Sequence, residues 1–135
     1  MEITGLVLMS VAILQYGVIP IVADFNRSHA THPRWPAHAR FHVVAQVLTT
    51  SSVAAVAMWL LWSPHIEHAL GICLAAVLSG CVLGGFHIST LCRHWYGGAL
   101  NDADGGIPKV RGLDLNVVNF GVATVLLAVG RIALL

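Results

Sequence analysis

Residues Asp24–Gln46, DFNRSHATHPRWPAHARFHVVAQ, decide how the rest of the chain is arranged. The segment holds four of the eight histidines, three of the seven basic residues and two of the five prolines. It leads directly into an apolar run long enough to cross a bilayer, which takes about 20 residues. Because histidines are costly at the edge of a membrane, the segment is either a solvated basic loop or the wall of a site.

The composition points to a membrane protein. Of the 135 residues, 57% are hydrophobic and 10% charged, and the mean hydropathy is +0.80. These values exclude a soluble globular domain, and a net charge of +1 indicates no attraction to nucleic acid. We predict an all-α fold, a bundle of four transmembrane helices in which residues 1–135 form a single domain. The predicted spans are Ile3–Ala23, Arg40–Trp62, Ile66–Leu91 and Leu115–Leu135.

Basic residues are distributed unequally between the two ends of this bundle. Six of the seven lie in or beside the first and third loops, and only Arg131 lies at the other end. The positive-inside rule therefore predicts that loops 25–39 and 93–113 are cytoplasmic and that both termini lie on the opposite side. We expect an integral protein of a bacterial inner membrane, in contact with membrane lipid.

Polar residues in the second span follow a helical period. His38, His42 and Gln46 are four residues apart, and Thr49 follows three residues later, which places them on one helical face. A polar stripe on a membrane helix normally faces the bundle or a cavity. We expect polar side chains from all four spans to converge at one end. These residues are Asp24, His38, His42, Gln46, His87, His94, Asn116 and Asn119.

Two histidines and one acid in this region allow more than one interpretation. Asp24 is either a helix-end residue in water or an acid turned into the bundle. His29 and His32 are assigned to the solvated basic loop.

A second loop contains the beginning of a calcium-binding sequence. This segment is Asp102–Gly105, but the closing glutamate is missing, so calcium is not favoured.

Three chemistries fit such a cluster. His38 and His42 have the spacing at which two imidazoles can hold zinc or non-haem iron, with His87 or Asp24 as a further ligand. Haem needs only one axial histidine and a flat apolar slot. A His–Asp pair could instead carry out acid–base catalysis without metal. The alternative is that these groups simply hydrogen-bond one another at the membrane interface.

Three sequence elements resemble the styrene oxide isomerases, a family of small four-span membrane proteins. Trp35 followed by Ala39-Arg40-Phe41-His42 at the start of an apolar helix is similar to that family's tryptophan and Ala-Arg-x-His. Gly84-Gly85-Phe86-His87 resembles its Gly-Phe-Tyr element in the third span. The glycine- and asparagine-rich loop before Asp114 resembles its last loop.

The resemblance implies a homotrimer with haem b held near the cytoplasmic side between protomers. His42 matches the axial ligand, with Arg40 and Trp35 beside the cofactor, and His38 is a rival ligand one turn earlier. Ferric iron would act as a Lewis acid on a small apolar epoxide from the lipid phase, giving an aldehyde or ketone. His87 stands where the family has tyrosine, and Leu48 where it has asparagine.

In this interpretation the substrate pocket is lined by His87, Gln46, Asn119 and Asp24. Two alternatives remain open. One is a metal-free or non-haem-metal isomerase or epoxide-opening enzyme that uses Asp24, His38 and His42. The other is a non-catalytic haem- or lipid-binding membrane subunit.

Overall fold

The computed structural model describes residues 2–101 and 108–135, and within them the chain is an all-α bundle, as predicted. Each of its four long helices is long and apolar enough to cross a membrane. They are α1 (Glu2–Asp24), α2 (Ala37–Trp62), α3 (His68–Cys92) and α4 (Leu115–Ile132). A short 3-10 helix, Arg93–Trp95, follows α3, and the antiparallel strands β1 (Lys109–Val110) and β2 (Leu113–Asp114) precede α4.

Local signals in the sequence explain where the helices begin. α2 starts three residues before the predicted Arg40, because Pro36 at its N-cap has φ −61° and leads directly into the first turn. α3 starts two residues after the predicted Ile66, because the Glu67 side chain caps it. α4 starts as predicted, since the Asp114 side chain accepts a hydrogen bond from the backbone N–H of Asn116.

The core of the bundle is centred on α1. Met9, Ala12, Ile13 and Tyr16 follow its inner face and are at most 1% exposed. The Tyr16 hydroxyl lies 2.9 Å from the Ser79 hydroxyl, and this buried hydrogen bond joins α1 to α3. The outer faces of the helices carry exposed apolar side chains, which suits contact with lipid.

Close helix approach occurs at different glycines from those that the sequence favours. The third span's Gly80, Gly84 and Gly85 suggest tight packing, yet a Cβ at any of them would meet nothing within 4 Å. The close contact between α1 and α2 lies instead at Gly17, where a Cβ would be 2.4 Å from the Ala54 Cβ. Small residues allow close approach but do not require it.

The connections separate into two ends of the bundle. Glu2, His68 and Leu135 line one cavity, so both termini and the turn between α2 and α3 share one end. Asp24, His29, Pro108 and Leu115 line a cavity at the other end, where the first and third loops meet. This arrangement agrees with the predicted separation of the loops, and the cytoplasmic side remains a prediction.

The Glu67 cap gives the bundle a pH-dependent element. Its carboxylate accepts hydrogen bonds from the backbone N–H groups of Ala69, at 3.0 Å, and Leu70, at 2.7 Å. These two bonds hold the pKa of Glu67 below its usual value of 4.5. Because the pKa is lower in the folded than in the unfolded protein, the stabilisation is present above the unfolded-state value and is lost as the pH falls through the folded-state value.

We therefore expect Glu67→Ala to lower the melting temperature near neutral pH and to lessen its decline on acidification. The measurement is thermal unfolding in detergent, from neutral pH downward through the acid range in which carboxyl groups titrate. Glu2→Ala is the control, because Glu2 contacts the side chain of His68 and caps no backbone N–H group among the described residues. Equal acid dependence in Glu67→Ala and the wild type would contradict this role.

Candidate functional site

A cavity of about 590 Å³ lies at the loop end of the bundle. All four helices and the first loop contribute to its wall. Phe86 and Phe120, whose rings stack with centroids 3.9 Å apart, give it an apolar side. Its polar lining comprises Asp24, His29, Gln46, Thr50, Ser89, Tyr96, Asn116 and Asn119.

The cavity unites only part of the predicted cluster. Asp24, Gln46, Asn116 and Asn119 come together as expected, from three different helices. A second cavity of about 350 Å³ shares Asp24, Asn116 and Asn119 with the first. These residues therefore lie where the two cavities adjoin, and a small molecule with a polar group could be bound there.

Sequence analysis missed His29, which belongs to this site. Its Nδ1 lies 3.6 Å from Oδ1 of Asp24, and the two side chains are 24% and 28% exposed. The Asn26 side chain reverses the chain after α1, because it donates to the Ala23 carbonyl at 2.7 Å and accepts from the Ser28 N–H at 2.7 Å. An asparagine two residues after a helix end is a turn signal that could have indicated this return.

Trp35 lies beside this part of the wall. Its ring is 5.4 Å from the ring of His29, edge to face, and 5.4 Å from that of His32. The tryptophan thus packs between two loop histidines, and it is half-buried. Its position connects the Pro33–Pro36 segment to the residues that line the cavity.

His38 and His42 lie outside the cavity. Both are exposed, and their Nε2 atoms are 3.0 Å apart. The predicted stripe therefore does exist on one helical face, but its two histidines lie on the outer surface of the single chain. Gln46, one turn further along, lines the cavity, so the stripe runs from the outer face to the cavity wall.

His87 holds α3 against α4. Its Nε2 is 2.8 Å from the Thr124 hydroxyl, which itself donates to the Phe120 carbonyl at 2.8 Å. Because the single hydroxyl proton is used in that second bond, the His87 Nε2–H is the donor to Thr124. The His87 side chain is thus engaged beside the Phe86–Phe120 stack.

His94 is exposed in the 3-10 helix and packs on Trp95, away from the cavity lining.

No group of three or more histidine, cysteine, aspartate or glutamate side chains with metal-binding geometry occurs in residues 2–101 and 108–135. The three cysteines, Cys73, Cys81 and Cys92, are all free thiols. Asp102–Gly105, with the beginning of a calcium loop, falls outside the described residues. Among the described residues, donors of this kind lie close together in the pairs His38–His42, Asp24–His29 and Glu2–His68.

These features define a small four-helix protein whose helices can span a membrane and which has a polar cavity at one end of the bundle. The chain belongs to the family described as DUF6640, a family of unknown function, which matches residues 8–126. No curated protein and no solved structure matches it.

Proposed function

We propose that this protein is a membrane-embedded isomerase that opens a small apolar epoxide to an aldehyde or ketone, with haem b bound through His42. One observation carries the proposal: the His42 imidazole is exposed on α2, one turn from the cavity-lining Gln46. A ligand on this outer face would lie next to the cavity and between neighbouring copies of the chain. The resemblance in α2, α3 and the last loop supports the same ligand and a homotrimer.

The residues around His42 fit a haem. A porphyrin needs an imidazole nitrogen and apolar surface, and the neighbouring Phe41 and Leu48 are 65% and 55% exposed. His38 and His42 lie one turn apart on the same helix with their Nε2 atoms 3.0 Å apart. They therefore approach from one side and cannot bind opposite faces of one porphyrin. One histidine of this pair would hold the haem, which would then supply a Lewis acid beside the cavity.

The protein's own side chains bind and position the substrate. When bound, ferric haem supplies a Lewis acid for the epoxide oxygen. Gln46 and Asn119 offer amide N–H groups to that oxygen, and the Phe86–Phe120 stack packs the apolar part of the substrate. Arg40 and Trp35, both half-buried, lie at the loop end, where the haem carboxylates would reach water. His87 supports the stack through Thr124.

The direct test is turnover of styrene oxide that carries deuterium on its terminal epoxide carbon. An isomerisation breaks one C–O bond and moves a hydride to the neighbouring carbon, so it needs no reductant. We expect membranes containing the protein to form the aldehyde with one deuterium on that neighbouring carbon, above the level in membranes without it. A diol product would indicate hydrolysis, and no turnover by haem-loaded protein would favour a non-catalytic haem- or lipid-binding subunit.

A second candidate function is metal-free acid–base opening of the epoxide. The observation that favours it is the Asp24–His29 pair, 3.6 Å apart and in the cavity lining. In this mechanism His29 takes the place of His38 and His42, because those two lie outside the cavity. A protonated histidine can donate to the epoxide oxygen while the carboxylate stabilises the developing positive charge.

Asp24→Asn separates the two mechanisms. Acid–base catalysis contributes about 10²–10⁴-fold, so under the second mechanism turnover falls by at least about 100-fold with haem content unchanged. Under the haem mechanism Asp24 only lines the cavity, and we expect a loss below about tenfold, the equivalent of about one hydrogen bond. Glu2→Gln is the control, since Glu2 pairs with His68 at the opposite end. Turnover is measured per protein chain, and haem content is measured on the same samples.

A further inference from the structure

We infer that Gln15 is a positioning residue, which holds the Asn119 amide so that its Nδ2 group faces the cavity as a hydrogen-bond donor. The inference rests on the proposed function, because it names the group that receives the substrate oxygen. Gln15 lies in the middle of α1 and is half-buried. Sequence analysis assigned it no role.

The contact between the two amides determines which atom of Asn119 is free. Nε2 of Gln15 donates to Oδ1 of Asn119 at 3.3 Å. Asn119 lines both cavities, and its Nδ2 makes no hydrogen bond with the described residues. With Oδ1 held by Gln15, the opposite side of the planar amide is the side that remains for a ligand.

A hydrogen-bond donor that faces the cavity suits an epoxide substrate. An epoxide oxygen and a carbonyl oxygen can only accept hydrogen bonds, so they need a donor such as Nδ2. If the Asn119 amide were turned over, it would present Oδ1, which neither substrate nor product could use. With Nε2 of Gln15 donating to Oδ1, Asn119 presents a donor to the reacting oxygen.

Packing between the helices does not by itself explain why Gln15 is a polar residue. Its Oε1 is buried and has no hydrogen-bond partner in the described parts of the chain. An unpaired buried carbonyl is unfavourable, so an apolar residue would join α1 to α4 more simply. Among the described residues, the side-chain bond that Gln15 makes is the one that orients Asn119.

Four variants and a binding probe test the inference, and one of them, Asn119→Leu, removes the proposed donor itself. The probe is acetophenone, whose carbonyl accepts but cannot donate a hydrogen bond. Gln15→Leu removes the orienting bond. Gln15→Glu donates to Asn119 when its carboxyl is protonated and accepts from it when ionised. Ser51→Ala is the matched control, because the Ser51 hydroxyl joins α2 to α1 by donating to the Gly17 carbonyl at 2.8 Å and lines neither cavity.

We expect Gln15→Leu to weaken acetophenone binding about tenfold, the equivalent of one hydrogen bond, and Ser51→Ala to leave it unchanged. Gln15→Glu should bind like the wild type at low pH and lose affinity as the pH rises. The affinity is expressed relative to the wild type at each pH, because Asp24, His29 and Tyr96 also face the cavity in both proteins.

Two results would overturn the inference. One is equal binding by the wild type, Gln15→Leu and Asn119→Leu. The other is a Gln15→Glu affinity that keeps a constant ratio to the wild type across the pH range. Because binding is measured without turnover, an inactive protein that still shows the expected pattern would remove the isomerase proposal and leave the role of Gln15 intact.

Discussion

Replacement of His42 by alanine is expected to remove the Soret absorption band of the purified protein and to lower epoxide turnover by at least about 100-fold, since under the proposed function His42 would hold the iron that acts as the Lewis acid. The position of His42 on the exposed face of α2 supports this expectation. His42 and His38 are the two imidazoles on the outer face of α2, and the one that matches the Ala-Arg-x-His element is His42. Absorption spectra and aldehyde formation are measured on the same detergent-purified samples.

Two further histidine variants make this prediction specific. His38→Ala breaks the 3.0 Å contact between the two Nε2 atoms and leaves the nitrogen of His42 free, so haem should be retained. His65→Ala, in the exposed turn before α3, should leave both spectrum and turnover unchanged. Haem retained in His42→Ala but lost in His38→Ala would assign the ligand to His38 and refute the role given to His42.

Gly17→Leu is expected to destabilise the bundle by about 3 kcal/mol, the upper part of the range for overpacked interiors. A Cβ at this position would lie 2.4 Å from the Ala54 Cβ, within the contact between α1 and α2. The neighbouring Tyr16 and Ala54 are buried, so the clash cannot be relieved by turning a side chain to the surface. The two helices must therefore separate. Denaturant unfolding in mixed detergent micelles measures the change.

Gly80→Leu is the control for this substitution. A Cβ at Gly80 would meet nothing within 4 Å, and the residue is exposed on α3. We expect its stability to stay within about 1 kcal/mol of the wild type, which is the usual size of the Gly-to-helix-former effect. Similar stability of Gly17→Leu and Gly80→Leu would contradict the tight contact between α1 and α2.

The four helices could be predicted because membrane spans depend on local properties. Each apolar run is long enough to cross hydrocarbon, and the cap at Asp114 depends only on its neighbours. The errors at the starts of α2 and α3 are two or three residues, and they arise where Pro36 and Glu67 act as N-caps. The overall architecture therefore follows from hydropathy and turn residues.

Whether a given helical face points toward lipid or toward the bundle interior could not be predicted from the sequence. Periodicity places His38 and His42 on one face, but lipid and bundle interior are both apolar, so hydropathy does not distinguish outward from inward. The pairing of Asp24 with His29 depends on the turn at Asn26. The Gln15–Asn119 contact joins residues 104 positions apart, and nothing local indicates it.

The absorption spectrum of the purified wild-type protein tests the central claim most directly. We predict about one haem b per chain, with the spectrum of iron bound by one histidine, because His38 and His42 approach from the same side. A colourless protein that takes up no added haem would contradict it, as would a spectrum of iron bound by two histidines.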